Sequence, residues 1–312
     1  MEGTEGKQHT EEASFVQSVL EAQFPGAFSA PSALGQGMDF RTYLTYNTVS
    51  GHTEPTVVRV PQRKSAKRKM AKEMQLLPSL QQFIASSSST TNLASTIPRY
   101  AFVSKEESSG KIVLAGYPLL QGTPLSTSDD ACGVTQLEAN PGLLEELVAL
   151  IARVHAFPEE KAIEAGVPIV GSEKNLNNLI EEIVDMKAAL LQLRDEKTIE
   201  ESLHSKIIAF VDDIDKNKRL LFRESTRKPV LLHGDIHFEH ILSSQKEGKE
   251  PISLLGLLDW SDAELTDPAF EPRYLWAFLP EHRRIWAFDK VSSDSTFEVG
   301  HELTLLFFVL GT

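Results

Sequence analysis

The stretch that decides the fold runs from Val230 to Asp267 and reads VLLHGDIHFEHILSSQKEGKEPISLLGLLDWSDAELTD. Its three apolar residues at the start predict a short strand, and the chain turns polar at once at His233-Gly234-Asp235. After a polar turn, the apolar segment from Ile252 to Leu258 predicts a second buried strand that delivers Asp259. Two carboxylates therefore leave strand ends a hairpin apart, close enough in principle to share a cation.

Three motif residues in this stretch have a recognisable spacing. HGDIHFEH places His233, Asp235 and His240 as His-x-Asp-x-x-x-x-His, and Leu258-Asp259-Trp260 is followed by the pair Asp267-Pro268. The pattern resembles the aminoglycoside and macrolide phosphotransferases, whose loop reads His-x-Asp-x-x-x-x-Asn and whose metal-binding strand ends in (I/L)-Asp-(W/F). Histidine in place of the asparagine is similar to the macrolide enzymes and to one branch of the aminoglycoside enzymes.

The resemblance implies a role for each motif residue. Asp235 would accept or orient the proton of the acceptor hydroxyl, an effect worth about 100- to 10,000-fold in rate. Asp259 and His240 would hold Mg²⁺, which neutralises the phosphates of ATP or GTP, with His240 acting directly or through water. Taken singly, an Asp after a strand is often only a turn residue, and a lone His is often a hydrogen-bonding group.

A second candidate pair lies near the N-terminus. The strand Thr56–Pro61 carries Arg59 on the face opposite Val58 and Val60. The following helix, predicted over about Ser65 to Leu77, puts Glu73 on an otherwise apolar stripe. Because a carboxylate on such a stripe needs a partner, Arg59 is the natural candidate, and the pair resembles the kinase ion pair that orients the phosphate contact. An exposed Glu73 on a curved helix is the alternative.

Two segments resemble the nucleotide-binding parts of the family. Gly35 and Gly37 separate two predicted strands, and their backbone could lie over nucleotide phosphates, although a structural hairpin explains them equally well. The segment containing Tyr117, Leu119 and Leu120 resembles the hinge between lobes, whose backbone would hydrogen-bond the purine.

Composition is that of an ordinary globular protein. The chain has 312 residues, 41% of them hydrophobic, and a single cysteine, which excludes an internal disulfide framework and fits a reducing compartment. The segment 1–14 is polar and acidic and has no apolar core, so we do not expect it to be a secretory signal, and we expect it to be disordered. The apolar run 305–310 is too short to cross a bilayer. We therefore expect a soluble cytoplasmic protein.

The net charge of the chain indicates which kinds of molecule it binds. The formal net charge of −13 argues against nucleic acid and weakly suits cationic substrates. One basic cluster, Arg63-Lys64 with Lys67-Arg68-Lys69, is either a solvated helix face or an attractor of nucleotide phosphates. We expect a monomer that binds a nucleoside triphosphate and a small hydroxylated acceptor, with no membrane partner.

The predicted fold is α+β and kinase-like, with two lobes. A small antiparallel-sheet lobe would hold residues 1–116, a hinge 117–125, and a larger, mainly helical lobe residues 126–312, which would bind the acceptor. The aromatic segment from Tyr274 to Phe288 is a candidate wall for a bulky acceptor or part of the core.

These observations predict a small-molecule kinase that transfers the γ-phosphoryl group of ATP or GTP to a hydroxyl of a macrolide or an aminoglycoside. A metabolic kinase of the same fold, acting on choline, homoserine or a sugar, differs only in the acceptor pocket. A catalytically weak nucleotide-binding relative is the other alternative.

Overall fold

The structure is a computed structural model that describes residues 2–48, 53–86, 93–126, 135–137, 139–221, 228–244 and 252–271. Within these ranges the chain forms two compact units. The first holds Met1–Thr123 with two returning segments, Leu242–Ser244 and Leu255–Ser261. The second holds the remainder of the described chain.

A five-stranded antiparallel sheet organises the first unit. In chain order its strands are β1 (Ser32–Gln36), β2 (Phe40–Asn47), β3 (Glu54–Pro61), β4 (Phe102–Lys105) and β5 (Ile112–Pro118). Their spatial order is β1-β2-β3-β5-β4. The alternation of side chains along β2 and β3 gives the sheet two apolar faces, because successive residues of a strand point to opposite sides.

Each face of this sheet is covered by one helix. Helix α1 (Glu2–Gln23) contributes Val16 and Leu20 to a core with Tyr43 and Val58. Helix α2 (Lys64–Ser86) covers the other face with a core of five buried residues. These are Phe40, Ala66, Met70, Ile112 and Ala115.

Helix α1 includes residues that were expected to be disordered, and helix α2 is longer than the sequence predicted. Disorder was expected over residues 1–14, whereas α1 begins at Glu2. The carboxylate of Glu12 accepts a hydrogen bond of 2.8 Å from the Tyr43 hydroxyl and pairs with Arg41, so β2 holds this part of the helix. Helix α2 was expected to end near Leu77 but continues through Pro78 to Ser86, because Leu80 and Ile84 extend its buried stripe.

The second unit is mainly helical. Its helices are α3 (Pro141–His155), α4 (Glu159–Glu164), α5 (Ser172–Asp195) and α6 (Glu201–Leu221). Helices α5 and α6 pack around Ile183, Leu190 and Val211. A short antiparallel pair joins β7 (Val230–Leu232) to β10 (Glu264–Thr266). Three further strands, β6 (Thr123–Pro124), β8 (Ile241–Ser243) and β9 (Leu254–Leu257), form a sheet in the order β6-β8-β9, and most residues of β8 and β9 belong to the first unit.

Two further sequence predictions concern the acceptor wall and the membrane. The segment from Tyr274 to Phe288, proposed as an acceptor wall, lies outside the described residues. Among the helices that are described, none is both long enough and apolar enough to cross a membrane.

Candidate active site

The predicted ion pair between Arg59 and Glu73 is present in the first unit. Arg59 Nη1 donates to Glu73 Oε2 at 2.7 Å, and both side chains are buried. Strand β3 supplies the arginine, and the apolar stripe of α2 carries the glutamate inward. The guanidinium also lies over the ring of Phe40, with Cζ 3.9 Å from the ring centroid. The buried carboxylate of Glu73 is therefore paired with the cation of Arg59, as the residue spacing predicted.

Tyr100 joins this pair. Its hydroxyl donates to Glu73 Oε2 at 2.5 Å and accepts from Arg59 Nη1 at 3.1 Å. Burial raises the pKa of Glu73, although Arg59 and the Tyr100 hydroxyl oppose that rise. Burial would lower the pKa of Arg59, but the charges of Glu73 and Asp259 raise it well above its ordinary value. The guanidinium is thus a permanent positive charge.

Asp259 is the third member of the cluster. Arg59 Nη2 donates to its Oδ1 at 2.9 Å, so one guanidinium fork connects two carboxylates. Asp259 follows β9 in a left-handed conformation, with φ of 57°, which few residues other than glycine adopt. Its side chain is about one third exposed, with a relative accessibility of 33%. Asp259 therefore presents a charged oxygen pair that solvent can reach.

The loop that begins at His233 is held by Glu271 in the second unit. Glu271 Oε2 accepts from the backbone N–H of His233 at 2.8 Å, and Oε1 accepts from that of Gly234 at 3.1 Å. His155 Nε2 lies 3.2 Å from Oε2. Burial would raise the pKa of Glu271, but His155, His233 and the amide of Gly234 hold it below its ordinary value. The loop backbone is thus fixed to a buried, ionised carboxylate.

Gly234 makes this loop conformation possible. Its φ is 84°, and a Cβ at this position would lie 2.4 Å from the carbonyl oxygen of Asp262. Any side chain would therefore push the loop away from its neighbour. The residue that follows is Asp235, whose position depends on this close approach.

The tautomer of His240 follows from its contact with Asp235. His240 Nδ1 lies 2.9 Å from the backbone carbonyl oxygen of Asp235. A carbonyl oxygen only accepts hydrogen bonds, so Nδ1 must carry the proton. In the neutral ring the lone pair is then on Nε2, the arrangement common in histidines that bind metals. The Asp235 side chain is 33% accessible, which suits a group that contacts a substrate.

The glycine segment lies at the edge of the sheet. Gly35 pairs with Thr42 between β1 and β2, and Thr42 Oγ1 donates to the Gly35 carbonyl at 3.0 Å. The amide of Gly37 donates to Phe40 O at 2.9 Å, which closes the turn. Both glycines are exposed. The hairpin is therefore present, and phosphate binding by its backbone stays a prediction.

The predicted hinge residues follow one another at the end of β5. Tyr117 is buried, and burial raises its pKa to about 12. The backbone amide of Leu119 donates to Pro55 O at 2.8 Å, so this N–H is already engaged. Leu119 and Leu120 are half-buried. Their contact with a purine stays a prediction.

Part of the basic cluster has a structural partner. Asp39, which follows the glycine turn, accepts from Arg63 Nε at 2.5 Å and from Lys69 Nζ at 2.7 Å. These two cations lower the pKa of Asp39 against the opposing effect of burial. Arg63 and Lys69 therefore tie the start of α2 to the turn, rather than forming a purely solvated face.

The donors fit the metal that the resemblance implies. Magnesium is usually held by one or two carboxylates together with the phosphates of its nucleotide, rather than by a complete protein cage. Asp259 offers an accessible carboxylate, and His240 offers Nε2. Among the described residues, no group of three or more metal-binding side chains is found.

Comparison with known proteins decides the family. A family model described as "Phosphotransferase enzyme family" matches residues 32–289, well over half of the chain. The chain belongs to this family. A relative from Bacillus subtilis (strain 168), described as "Uncharacterized protein YcbJ", is 25% identical over 241 residues. That match covers 75% of this chain and 65% of the relative, so the chain spans less than two thirds of the length of this relative.

Solved structures that are similar to this chain show its fold. The GDP complex of wild-type aminoglycoside 2'-phosphotransferase-IIIa matches with a TM-score of 0.68 and 23% identity, over 96% of this chain and 89% of that one. Macrolide 2'-phosphotransferase from Brachybacterium faecium matches with a TM-score of 0.59 and 18% identity, over 94% and 88%. The predicted kinase-like α+β fold is confirmed by these neighbours.

Two contacts in the structure were not predicted from the sequence. Tyr100 is 27 residues from Glu73 and 41 from Arg59, and no periodicity connects positions so far apart. The bonds from Glu271 to the backbone of the His233 loop were not predicted either. Its place after the Asp267-Pro268 pair was the one available signal.

Proposed function

We propose that the protein transfers the γ-phosphoryl group of ATP or GTP to a hydroxyl of a small molecule, in the class of the macrolides and aminoglycosides. The observation that supports this most is the single guanidinium of Arg59 joined to both Glu73 and Asp259. Phosphoryl transfer requires mostly placement and charge from the protein, and this cluster supplies a fixed cation beside an accessible carboxylate.

Each residue has a part in this proposal. Arg59, oriented by Glu73, contacts nucleotide phosphates, and Gly35 and Gly37 approach them with their backbone. Tyr117, Leu119 and Leu120 border the purine, at the boundary between residues 1–116 and 126–312. Asp259 and His240 hold Mg²⁺, which when bound neutralises phosphate charge. Asp235 orients the acceptor hydroxyl and takes its proton.

The relatives support the nucleotide and the acceptor class without identifying either. The structure of aminoglycoside 2'-phosphotransferase-IIIa contains GDP, and a similar structure, that of APH(2")-IIia, contains GDP and kanamycin. At such low identity these ligands belong to those proteins.

A phosphorylation screen tests the proposal. Purified protein is incubated with Mg-ATP or Mg-GTP and with macrolides, aminoglycosides, choline, homoserine and common sugars, and phosphorylated product is measured by mass spectrometry. We expect product with an antibiotic acceptor. Product with choline, homoserine or a sugar instead would make the protein a metabolic kinase. If neither Mg-ATP nor Mg-GTP raised the melting temperature of the protein, the proposed nucleotide site would be refuted.

The variant Asp235→Asn then tests the proposed base. It should bind nucleotide as the wild type does but transfer phosphate about 100- to 10,000-fold more slowly. Glu239→Gln is the matched control, because Glu239 is an exposed carboxylate four residues after Asp235. An unaltered rate in Asp235→Asn would remove the base assignment.

A further inference from the structure

The Tyr100 hydroxyl closes a ring of three hydrogen bonds with Arg59 and Glu73. Arg59 Nη1 contacts Glu73 Oε2 at 2.7 Å and the Tyr100 oxygen at 3.1 Å, and the Tyr100 oxygen contacts Glu73 Oε2 at 2.5 Å. A guanidinium has no acceptor, so the hydroxyl proton must point to the carboxylate. The direction of every bond in the ring is thereby determined.

Glu73 depends on this ring for its hydrogen bonds. Its Oε1 is buried and has no hydrogen-bond partner among the described residues, and both of its donors reach Oε2. Without the Tyr100 hydroxyl, one donor would remain for a buried carboxylate. Since a buried charge is stable only when it is paired and hydrogen-bonded, loss of this donor weakens the hold of Glu73 on the guanidinium.

The ring of Tyr100 extends the contact toward the end of β5. It meets Tyr117 edge to face, with centroids 5.4 Å apart and an interplanar angle of 89°. Tyr100 also packs against the core formed by Phe40, Met70 and their neighbours. The hydroxyl is therefore held by aromatic and apolar contacts that do not involve Arg59.

We propose that Tyr100 is a positioning residue for nucleotide binding, which holds Glu73 so that Arg59 can be shared between Glu73 and a phosphate. The inference rests on the proposed function, because it assumes that Arg59 contacts the nucleotide. Without the hydroxyl, Glu73 restrains the guanidinium less, and Arg59 turns toward its other carboxylate, Asp259. The incoming phosphates then compete for a cation that is no longer directed at them.

The test compares two tyrosine variants that each lose a hydroxyl-to-carboxylate bond. Tyr100→Phe keeps the ring and its contact with Tyr117. Tyr43→Phe is the matched control, because the Tyr43 hydroxyl donates to Glu12 at 2.8 Å on the α1 side of the same sheet. Binding of Mg-ATP and Mg-GTP is measured by calorimetry, and the melting temperature of each variant is measured alongside.

We expect Tyr100→Phe to weaken nucleotide binding about three- to tenfold, the effect of one typical hydrogen bond, while Tyr43→Phe leaves it unchanged. In a Glu73→Gln background, Tyr100→Phe should have little further effect on binding, since its action passes through the carboxylate. A purely structural role would lower the melting temperature of both tyrosine variants and alter the affinity of neither.

The outcomes separate the two proposals. If the wild type binds nucleotide and Tyr100→Phe binds it as tightly as Tyr43→Phe does, the role of Tyr100 is refuted and the proposed function stands. An effect of Tyr100→Phe that is equally large in the Glu73→Gln background also refutes it. If the wild type binds neither nucleotide, both proposals fall together.

Discussion

Glu271 Oε2 accepts a hydrogen bond of 2.8 Å from the backbone amide of His233, two residues before the proposed base Asp235. The other oxygen accepts from Gly234 at 3.1 Å, so a single buried side chain fixes two successive amides. Buried backbone groups require partners, and a charged acceptor makes the stronger bonds. The position of Asp235 is thereby tied to a residue 36 places later in the chain.

Glu271→Gln should destabilise the protein in a way that depends on pH. The folded-state pKa of Glu271 is below the ordinary value of 4.5, so its contribution is complete above that value and disappears as pH falls through the lowered pKa. We expect the variant to lose about 1.5–3 kcal/mol of unfolding free energy at pH 7 and less in acid, measured by urea denaturation. Glu146→Gln, which loses the carboxylate bonded to the amide of Leu254, is the control. A difference from wild type that is equal at both pH values would contradict the assignment.

Gly234→Ala should be much more damaging than Gly166→Ala. Both glycines have positive φ, 84° and 80°, so alanine pays about 1–2 kcal/mol of backbone strain at either. Only at Gly234 would the added Cβ also clash with the backbone, because it would lie 2.4 Å from the carbonyl oxygen of Asp262. At Gly166 nothing lies within 4 Å of an added Cβ. Thermal unfolding should therefore show a further loss of about 1–3 kcal/mol of stability for Gly234→Ala alone. Phosphoryl-transfer assays should show a loss of activity for this variant and not for Gly166→Ala. Equal losses at the two positions would mean that the close approach does not matter.

Arg59→Met should unfold more readily than the wild type and should not bind nucleotide. Removing the cation leaves Glu73 buried and unpaired, at a cost of about 3 kcal/mol, near the low end for such pairs because burial already favours protonation of Glu73. Adding Glu73→Gln should restore part of the stability and none of the binding, as measured by guanidinium denaturation and calorimetry with Mg-GTP and Mg-ATP.

Arg194→Met is the control for the Arg59 experiment. Arg194 pairs with Asp195 at the surface, and its loss should cost less than about 1 kcal/mol. Retention of nucleotide affinity by Arg59→Met would show that the Arg59 cation does not contact phosphate.

His240→Asn should change which metal serves best. An imidazole nitrogen suits Ni²⁺ better than an amide oxygen does, whereas the amide oxygen suits Mg²⁺. We expect the rate ratio of Ni²⁺ to Mg²⁺ to fall on the order of tenfold in the variant, measured in phosphoryl-transfer assays with each metal. His237→Asn, on the same short turn, is the control. A ratio unaltered by His240→Asn would exclude His240 as a direct ligand.

Most of the predictions came from the spacing of neighbouring residues in the sequence. Period-two alternation put Arg59 opposite Val58, and the helical stripe put Glu73 among apolar residues, so a contact between them followed from the burial of a charge. The spacing of His233, Asp235 and His240 belongs to one short loop, where chain length alone keeps the residues close. The extent of α2 was not predicted, because Pro78 reads locally as a helix breaker while the buried stripe continues beyond it.

The sequence by itself determined the residue types and their order: a strand arginine, a helix acid, a loop acid with its histidine, and an acid at a strand end. Only the tertiary structure decided how they are held. Arg59 meets Asp259 across 200 residues, Tyr100 joins Glu73, and Glu271 captures the loop amides. Periodicity is a property of neighbouring residues, whereas these bonds form between side chains that come together only when distant elements pack, so no local pattern records them.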